Sequence, residues 1–293
     1  MLVFLLSQIE ANSQITLDNL ATLVQEKFQI QISVSSIHRA LEKMDVTWKN
    51  IFPVPVNWNT PEIIRARSDY ISKLEITFRG RKRIFLDESG FNLHIKKSRE
   101  RSLRGRFAIL TVLPKGKNIS LLAALSEEGI VFSKTRINIG EQKGTTGEDF
   151  RSFITDLVAH IPRSSLLILD NAKIHHATLL DTTWTMLKKT FDIDVLYLPP
   201  YSPFLNPIEY AFNFLKNEIK SSSFSNRSEL LTLINQKIPS IDEEKAQAFF
   251  RQTEKYYSQC ILGLPFTGNP ISPDLNLPED SSNQPHQPLL SAQ

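Results

Sequence analysis

Residues 196–220 read LYLPPYSPFLNPIEYAFNFLKNEIK. The stretch opens on an apolar strand candidate, Leu196–Leu198. A turn follows, stiffened by Pro199, Pro200 and Pro203, which fix φ and remove donors. An amphipathic helix then begins at Asn206. In that register Asn206 is the N-cap, Pro207 the first helical residue and Glu209 the third. Glu209 admits two readings at this point. A glutamate there can reach back to the cap N–H, as in a capping box. It can also point away from the helix as an oxygen ligand.

Two further acids occupy matching places upstream. KRIFLDESG (82–90) is a strand candidate ending at Asp87, and SSLLILDNAKIHH (164–176) is a buried strand ending at Asp170 and running into a helix. Taken singly, Asp170 could cap the helix after it and Asp87 could shape a turn before Gly90. Taken together, three carboxylates at the carboxyl edge of strands or one loop beyond point into one crevice, where ligands bind in α/β sheets. Acids are what hard divalent cations such as Mg²⁺ use. Alternation along the strand turns Glu88 to the opposite face from Asp87.

The surrounding sequence gives the frame. FNLHIKK, RFAILTVLP, NISLLAALS and IVFSKTRIN are strand candidates, and TTGEDFRSFITDLVAHI is an amphipathic helix. Strands in a meander, then strands alternating with helices, predict an α/β domain with a mixed sheet over 81–262. Residues 1–47 read as a small all-α domain. Thr16 caps LDNLATLVQEKF and Ser33 caps VSSIHRALEKM, a helix-turn-helix pattern whose second helix offers Ser35, Ser36, His38, Arg39 and Lys43 outward. Residues 48–80 form a proline- and tryptophan-containing linker followed by a connecting helix from Pro61. From Pro265 to Gln293 there are six prolines, three acids and no Lys or Arg; residues 263–293 are expected to be a disordered tail.

Composition narrows the class. One cysteine among 293 residues, Cys260, excludes an internal disulfide and a cysteine-based zinc site. MLVFLLSQIE is too short for a secretory signal and lacks its basic flank, and no apolar run has membrane-spanning length, so no membrane partner is expected. Net charge is only +3, but it is unevenly spread. Residues 79–117 carry twelve basic residues against three acidic, whereas residues 1–78 carry seven against eight. The excess, which includes Arg101, Arg104 and Arg106, suits a polyanion; the plainer reading is a solvated basic hairpin.

LDESGFNL, LILDNAKIHH and LPPYSPFLNPIEYAFNFLK, in this order, resemble the three blocks of mariner-like transposases and their bacterial insertion-sequence relatives, over roughly residues 13–262. The resemblance implies a ribonuclease-H-like catalytic domain whose acidic triad is Asp87, Asp170 and Glu209, with 38 residues between the last two. It implies positioning or DNA-contacting roles for Asn171, His175, Asn206 and Pro207. It also implies metal-dependent cutting and joining of transposon ends with Mg²⁺, for which Mn²⁺ substitutes. The partners would be double-stranded terminal repeats and target DNA, handled by a homodimer, in a nucleus if the host is eukaryotic or a nucleoid if it is bacterial. The family carries two helix-turn-helix units and residues 1–47 match only the second. A shortened or co-opted DNA-binding relative without transposition is therefore the alternative expectation.

Overall fold

The computed structural model describes residues 1–47, 55–96, 101–107, 109, 118–137, 145–172, 175 and 178–266. Backbone contacts divide the chain into two units, meeting at Val54/Pro55.

The first unit is a bundle of α1 (Leu2–Ala11), α2 (Leu17–Phe28) and α3 (Val34–Glu42). Thr16 Oγ1 accepts from Asn19 N–H and Ser33 Oγ from Ser36 N–H, each at 3.2 Å. Both caps are where the sequence placed them, and each is worth about 1 kcal/mol. Leu5, Leu20, Val24, Ile37 and Leu41 form the core.

The second unit is built on a five-stranded mixed sheet in which the strands, numbered along the chain, lie in the order third, second, first, fourth, fifth. The strands are β1 (Arg83–Phe91), β2 (Ile119–Ser126), β3 (Gly129–Ile137), β4 (Leu166–Leu169) and β5 (Asp194–Tyr197). β1 pairs antiparallel with β2 and parallel with β4. The helices of this unit are α4 (Pro61–Ser72), α5 (Gly147–Leu157), α6 (Asp181–Phe191), α7 (Pro207–Lys220), α8 (Arg227–Lys237), α9 (Glu243–Glu254) and α10 (Tyr257–Ile261). Residue parity sorts them into layers. Phe85, Phe91, Leu166, Ile168 and Leu196 pack into a core with α4 and α7–α10. Ile84, Leu86, Leu167 and Leu169 pack against α5 and α6. β4 sits between parallel neighbours with both faces covered, which is why it reads as an unbroken leucine-rich run. Among the described residues no helix is long and apolar enough to cross a membrane.

Some expectations are revised. β1 does not end at Asp87; pairing with β2 carries it on to Phe91. FNLHIKK is not a strand beyond Phe91, because Asn92 Oδ1 accepts from His94 N–H at 2.9 Å and turns the chain. RFAILTVLP falls mostly outside the described residues, as does the start of the helix expected after Asp170; there the described α-helix begins at Asp181. Residues 267–293 also lie outside them, but Phe266, within the interval read as tail, is 5% exposed and stacks on Trp58 at 6.0 Å.

Candidate active site

Strand alternation decides which way the acids face. Asp87 shares parity with Phe85 and Phe91, and Asp170, one residue past β4, shares parity with Leu166 and Ile168. All four apolar residues lie on the α7 side of the sheet, the side on which Glu209 enters α7. The parallel pairing of β1 with β4 ends at Leu86 and Leu169. Asp87 and Asp170 are therefore the first residues past the shared ladder, side by side where the strands part.

Of the two readings of Glu209, Asn206 bears on the capping one. Asn206 is the N-cap of α7 but makes no side-chain cap bond. Its Nδ2 instead donates to Asp87 Oδ2 at 3.0 Å, across 119 positions of sequence. No capping box forms here, whereas Thr146 and Asp149 build one at α5. Glu209 is thus left to face the acids. Pro207, buried at the first helical position, gives up no hydrogen bond by lacking an N–H. Asn206 is 2% exposed, and its Oδ1 is buried with no partner.

Asp170 is held from its own loop. Its Oδ1 accepts from Ala172 N–H at 3.0 Å and lies 2.6 Å from His175 Nδ1. His175 is 2% exposed, packs on Phe150 at 4.4 Å, and leaves Nε2 buried without a partner. Asn171 Nδ2 donates to Leu198 O, joining the Asp170 loop to the segment that leads to Glu209. Asp170, Asn171, Pro200, Tyr201, Asn206 and Glu209 line an open cleft of ≈ 370 Å³. Among the described residues no three His, Cys, Asp or Glu side chains are gathered tightly enough to hold one ion, and Asp170 is turned toward Ala172 and His175 instead.

The electrostatics are those of crowded carboxylates. Burial, and then the neighbouring Glu209 and Asp170, push the Asp87 carboxyl well above its usual range, against the Glu88 N–H and Asn206 bonds that favour its charge. Burial also raises Glu209; Lys216 opposes this and Asp170 adds to it. Lys216 itself is held below the usual lysine value by burial, with Glu209 and Asp87 pulling it back up. Lys216 was missed in the sequence, although it lies seven residues beyond Glu209 and so on the same helix face.

The expected DNA-contacting residues fall elsewhere. Ser35, His38, Arg39 and Lys43 are exposed and Ser36 is half-buried. Arg39 folds back, Nε to Ser35 O at 3.3 Å and Nη2 to Ser36 Oγ at 3.4 Å, while His38 Nδ1 lies 3.4 Å from Glu42. Lys43 caps the end of α3 rather than lying within it. Arg101, Arg104 and Arg106 are all exposed.

A family profile described as DDE superfamily endonuclease matches residues 82–231, an interval that contains Asp87, Asp170, Asn206 and Glu209. No curated protein matches the sequence. Among solved structures, the Mos1 strand transfer complex superposes with a TM-score of 0.73 at 16% identity, covering 92% of this chain and 79% of that one. The Mos1 mariner paired end complex with Mg gives 0.73 at 15% identity, over 92% and 80%. The catalytic domain of Mos1 mariner transposase gives 0.53 at 15% identity, over 74% of this chain and all of the other. At such identities the likeness is one of fold, and the profile, which spans just over half of the sequence, supplies the kinship: the chain belongs to the DDE superfamily endonucleases and has the fold of a mariner transposase.

Proposed function

We propose that the protein is a divalent-metal-dependent DNA endonuclease and strand-transferase that cuts transposon ends and joins them to target DNA, with Asp87, Asp170 and Glu209 as its metal-holding acids. The observation that carries this reading is the Asn206–Asp87 hydrogen bond. It takes the helix cap away from capping and ties the loop before Glu209 to the strand bearing Asp87.

The donor set fits Mg²⁺ or Mn²⁺ in its chemistry. The donors are hard oxygens, two at one sheet edge and Glu209 on α7, and the charges of Asp87 and Glu209 are disfavoured by burial and by neighbouring acids, a cost that a bound cation removes. When bound, such ions activate an attacking oxygen and stabilise the leaving oxygen of an in-line phosphoryl displacement. The protein's share is positional. Asn206 and Glu88 N–H orient the two oxygens of Asp87. Ala172 N–H and His175 orient Asp170. Lys216, kept among the acids, offers a cation to a phosphate oxygen. Raised carboxyl pKa values mean that metal loading releases protons.

Duplex DNA would be gripped through its phosphates by Arg101, Arg104 and Arg106 and approached by the exposed side of α3, with affinity falling steeply in salt. Pairing two ends calls for a dimer. The test is nicking of a duplex carrying the element's inverted repeats, with and without Mg²⁺. Metal-dependent 3′-hydroxyl formation, lost in Asp87→Asn, Asp170→Asn and Glu209→Gln, is expected. Tight duplex binding with no nicking by the wild type in Mg²⁺, or in Mn²⁺ in its place, would establish the co-opted DNA-binding alternative.

A further inference from the structure

Arg67, on α4, is 1% exposed. Its guanidinium carbon lies 5.5 Å from the ring centre of Trp58 and 5.3 Å from those of Phe204 and Phe266. Its hydrogen-bond partners are all neutral: Ser202 Oγ at 2.9 Å from Nε, Tyr201 O at 3.1 Å from Nη2, and Asn59 Oδ1 at 3.4 Å from Nη1. A buried cation with no carboxylate partner among the described residues gives little stability that an apolar side chain of its size would not. What a guanidinium adds is a rigid fork that fixes several acceptors at once.

Two of the three acceptors belong to the proline-rich loop before α7. Trp58 Nε1 donates to the same Tyr201 O at 3.0 Å. Tyr201 has φ 52°, a left-handed conformation that a bulky non-glycine residue keeps only when its surroundings impose it. Ser202 Oγ passes the contact on by donating to Pro200 O at 3.0 Å. Leu205 N–H then bonds Ser202 O at 3.1 Å and Asn206 N–H bonds Pro203 O at 2.9 Å. The next contact along the chain is Asn206 with Asp87.

We propose that Arg67 is a positioning residue for the acidic site. Clamped among three rings, it fixes Tyr201 and Ser202 and through them the placement of Asn206 and Glu209. This inference rests on the reading of Glu209 as a metal-holding acid.

The experiment uses the full chain and the variants Ser202→Ala, Ser202→Thr, Arg67→Lys and Glu209→Gln. All are assayed well below their melting transitions, with folding checked by circular dichroism. Cleavage is measured at saturating DNA, and Mn²⁺ binding separately, as the Mn²⁺ concentration that gives half the maximal rise in melting temperature. Ser202→Ala and Arg67→Lys are expected to lower kcat about tenfold with KM unchanged, as for a displaced reacting group, and to raise the Mn²⁺ midpoint. Ser202→Thr, which keeps the hydroxyl, restores both. Folded Ser202→Ala and Arg67→Lys proteins with wild-type kcat and Mn²⁺ midpoint overturn the inference. If Glu209→Gln is inactive while those two are not, only this inference fails. If Glu209→Gln keeps the wild-type rate and midpoint, the reading of Glu209 fails and takes this inference with it.

Discussion

Asp87→Asn should stabilise the metal-free protein at pH 7 while abolishing cleavage. The volume hardly changes. The carboxylate accepts from Glu88 N–H at 2.7 Å and from Asn206 Nδ2 at 3.0 Å. The new amide oxygen can keep the first bond. Its NH₂ would confront Asn206 Nδ2, but a half-turn of the Asn206 amide brings round Oδ1, which has no partner now, so the bond is reformed with donor and acceptor exchanged. What disappears is a charge disfavoured by burial, by Glu209 and by Asp170. The folded pKa is raised, so above the ordinary value of 3.8 the unfolded chain releases a proton that the folded one retains. Stability therefore falls as pH rises from there through the folded pKa, and the deficit persists above it. Each pKa unit is worth about 1.4 kcal/mol, and each kcal/mol moves the Tm of a domain this size by about 2–4 °C. Melts in chelator from pH 3 to 8 should show the variant above wild type at pH 7, by about 3–6 °C for each unit by which folding raises the carboxyl pKa, with the gap closing near pH 3–4. A variant that melts lower at pH 7, or a gap independent of pH, would refute the reasoning.

Glu209→Gln should abolish metal-dependent cleavage without lowering Tm, because α7 takes no cap from this side chain and the charge removed is disfavoured by burial; a large Tm loss with cleavage intact would return Glu209 to a structural role. Replacing Arg101, Arg104 and Arg106 together by alanine should weaken binding to all duplexes alike and flatten the log K against log salt slope by about 2–3, as expected for three lost phosphate contacts; an unchanged slope would mean that these arginines do not touch DNA. Phe266→Ala should cost about 3–5 kcal/mol in denaturant unfolding, whereas deleting residues 270–293 should cost almost nothing, given their composition. Equal losses from the two changes would contradict the burial of Phe266 against Trp58 and Phe204.

Much of this was legible because it is local or periodic. Thr16 and Ser33 mark helix starts by a side chain three residues from its donor, and the alternation of RIFLD and LLILD already places Asp87 and Asp170 with the residues that face α7. Glu209 could not be settled locally. Its neighbours spell a capping pattern, and only Asp87, 119 positions away, shows that Asn206 is otherwise engaged. Arg67 and Phe266 were opaque for the same reason. An arginine in a helix reads as surface, and a phenylalanine beside prolines reads as tail, until the partners Ser202 and Asn59, 135 and 207 positions away, are known. β1 outran its expected end because the strand that prolongs it, β2, comes later in the chain.

The pairing of Asn59 with Phe266, through Asn59 Nδ2 to Phe266 O at 2.8 Å and Phe266 N–H to Asn59 Oδ1 at 3.1 Å, sets an order of events during synthesis. At translation rates of ~5–20 residues per second, Phe266 follows Glu209 out of the ribosome by roughly 3–11 s. In that interval all three acids exist, but the loop that carries Asn206 lacks the Phe266 ring against Phe204. A chain broken off there would carry Asp87, Asp170 and Glu209 without the ring that backs the loop between them. The contact that backs the loop carrying Asn206 is thereby among the last that the described residues can make as the chain emerges.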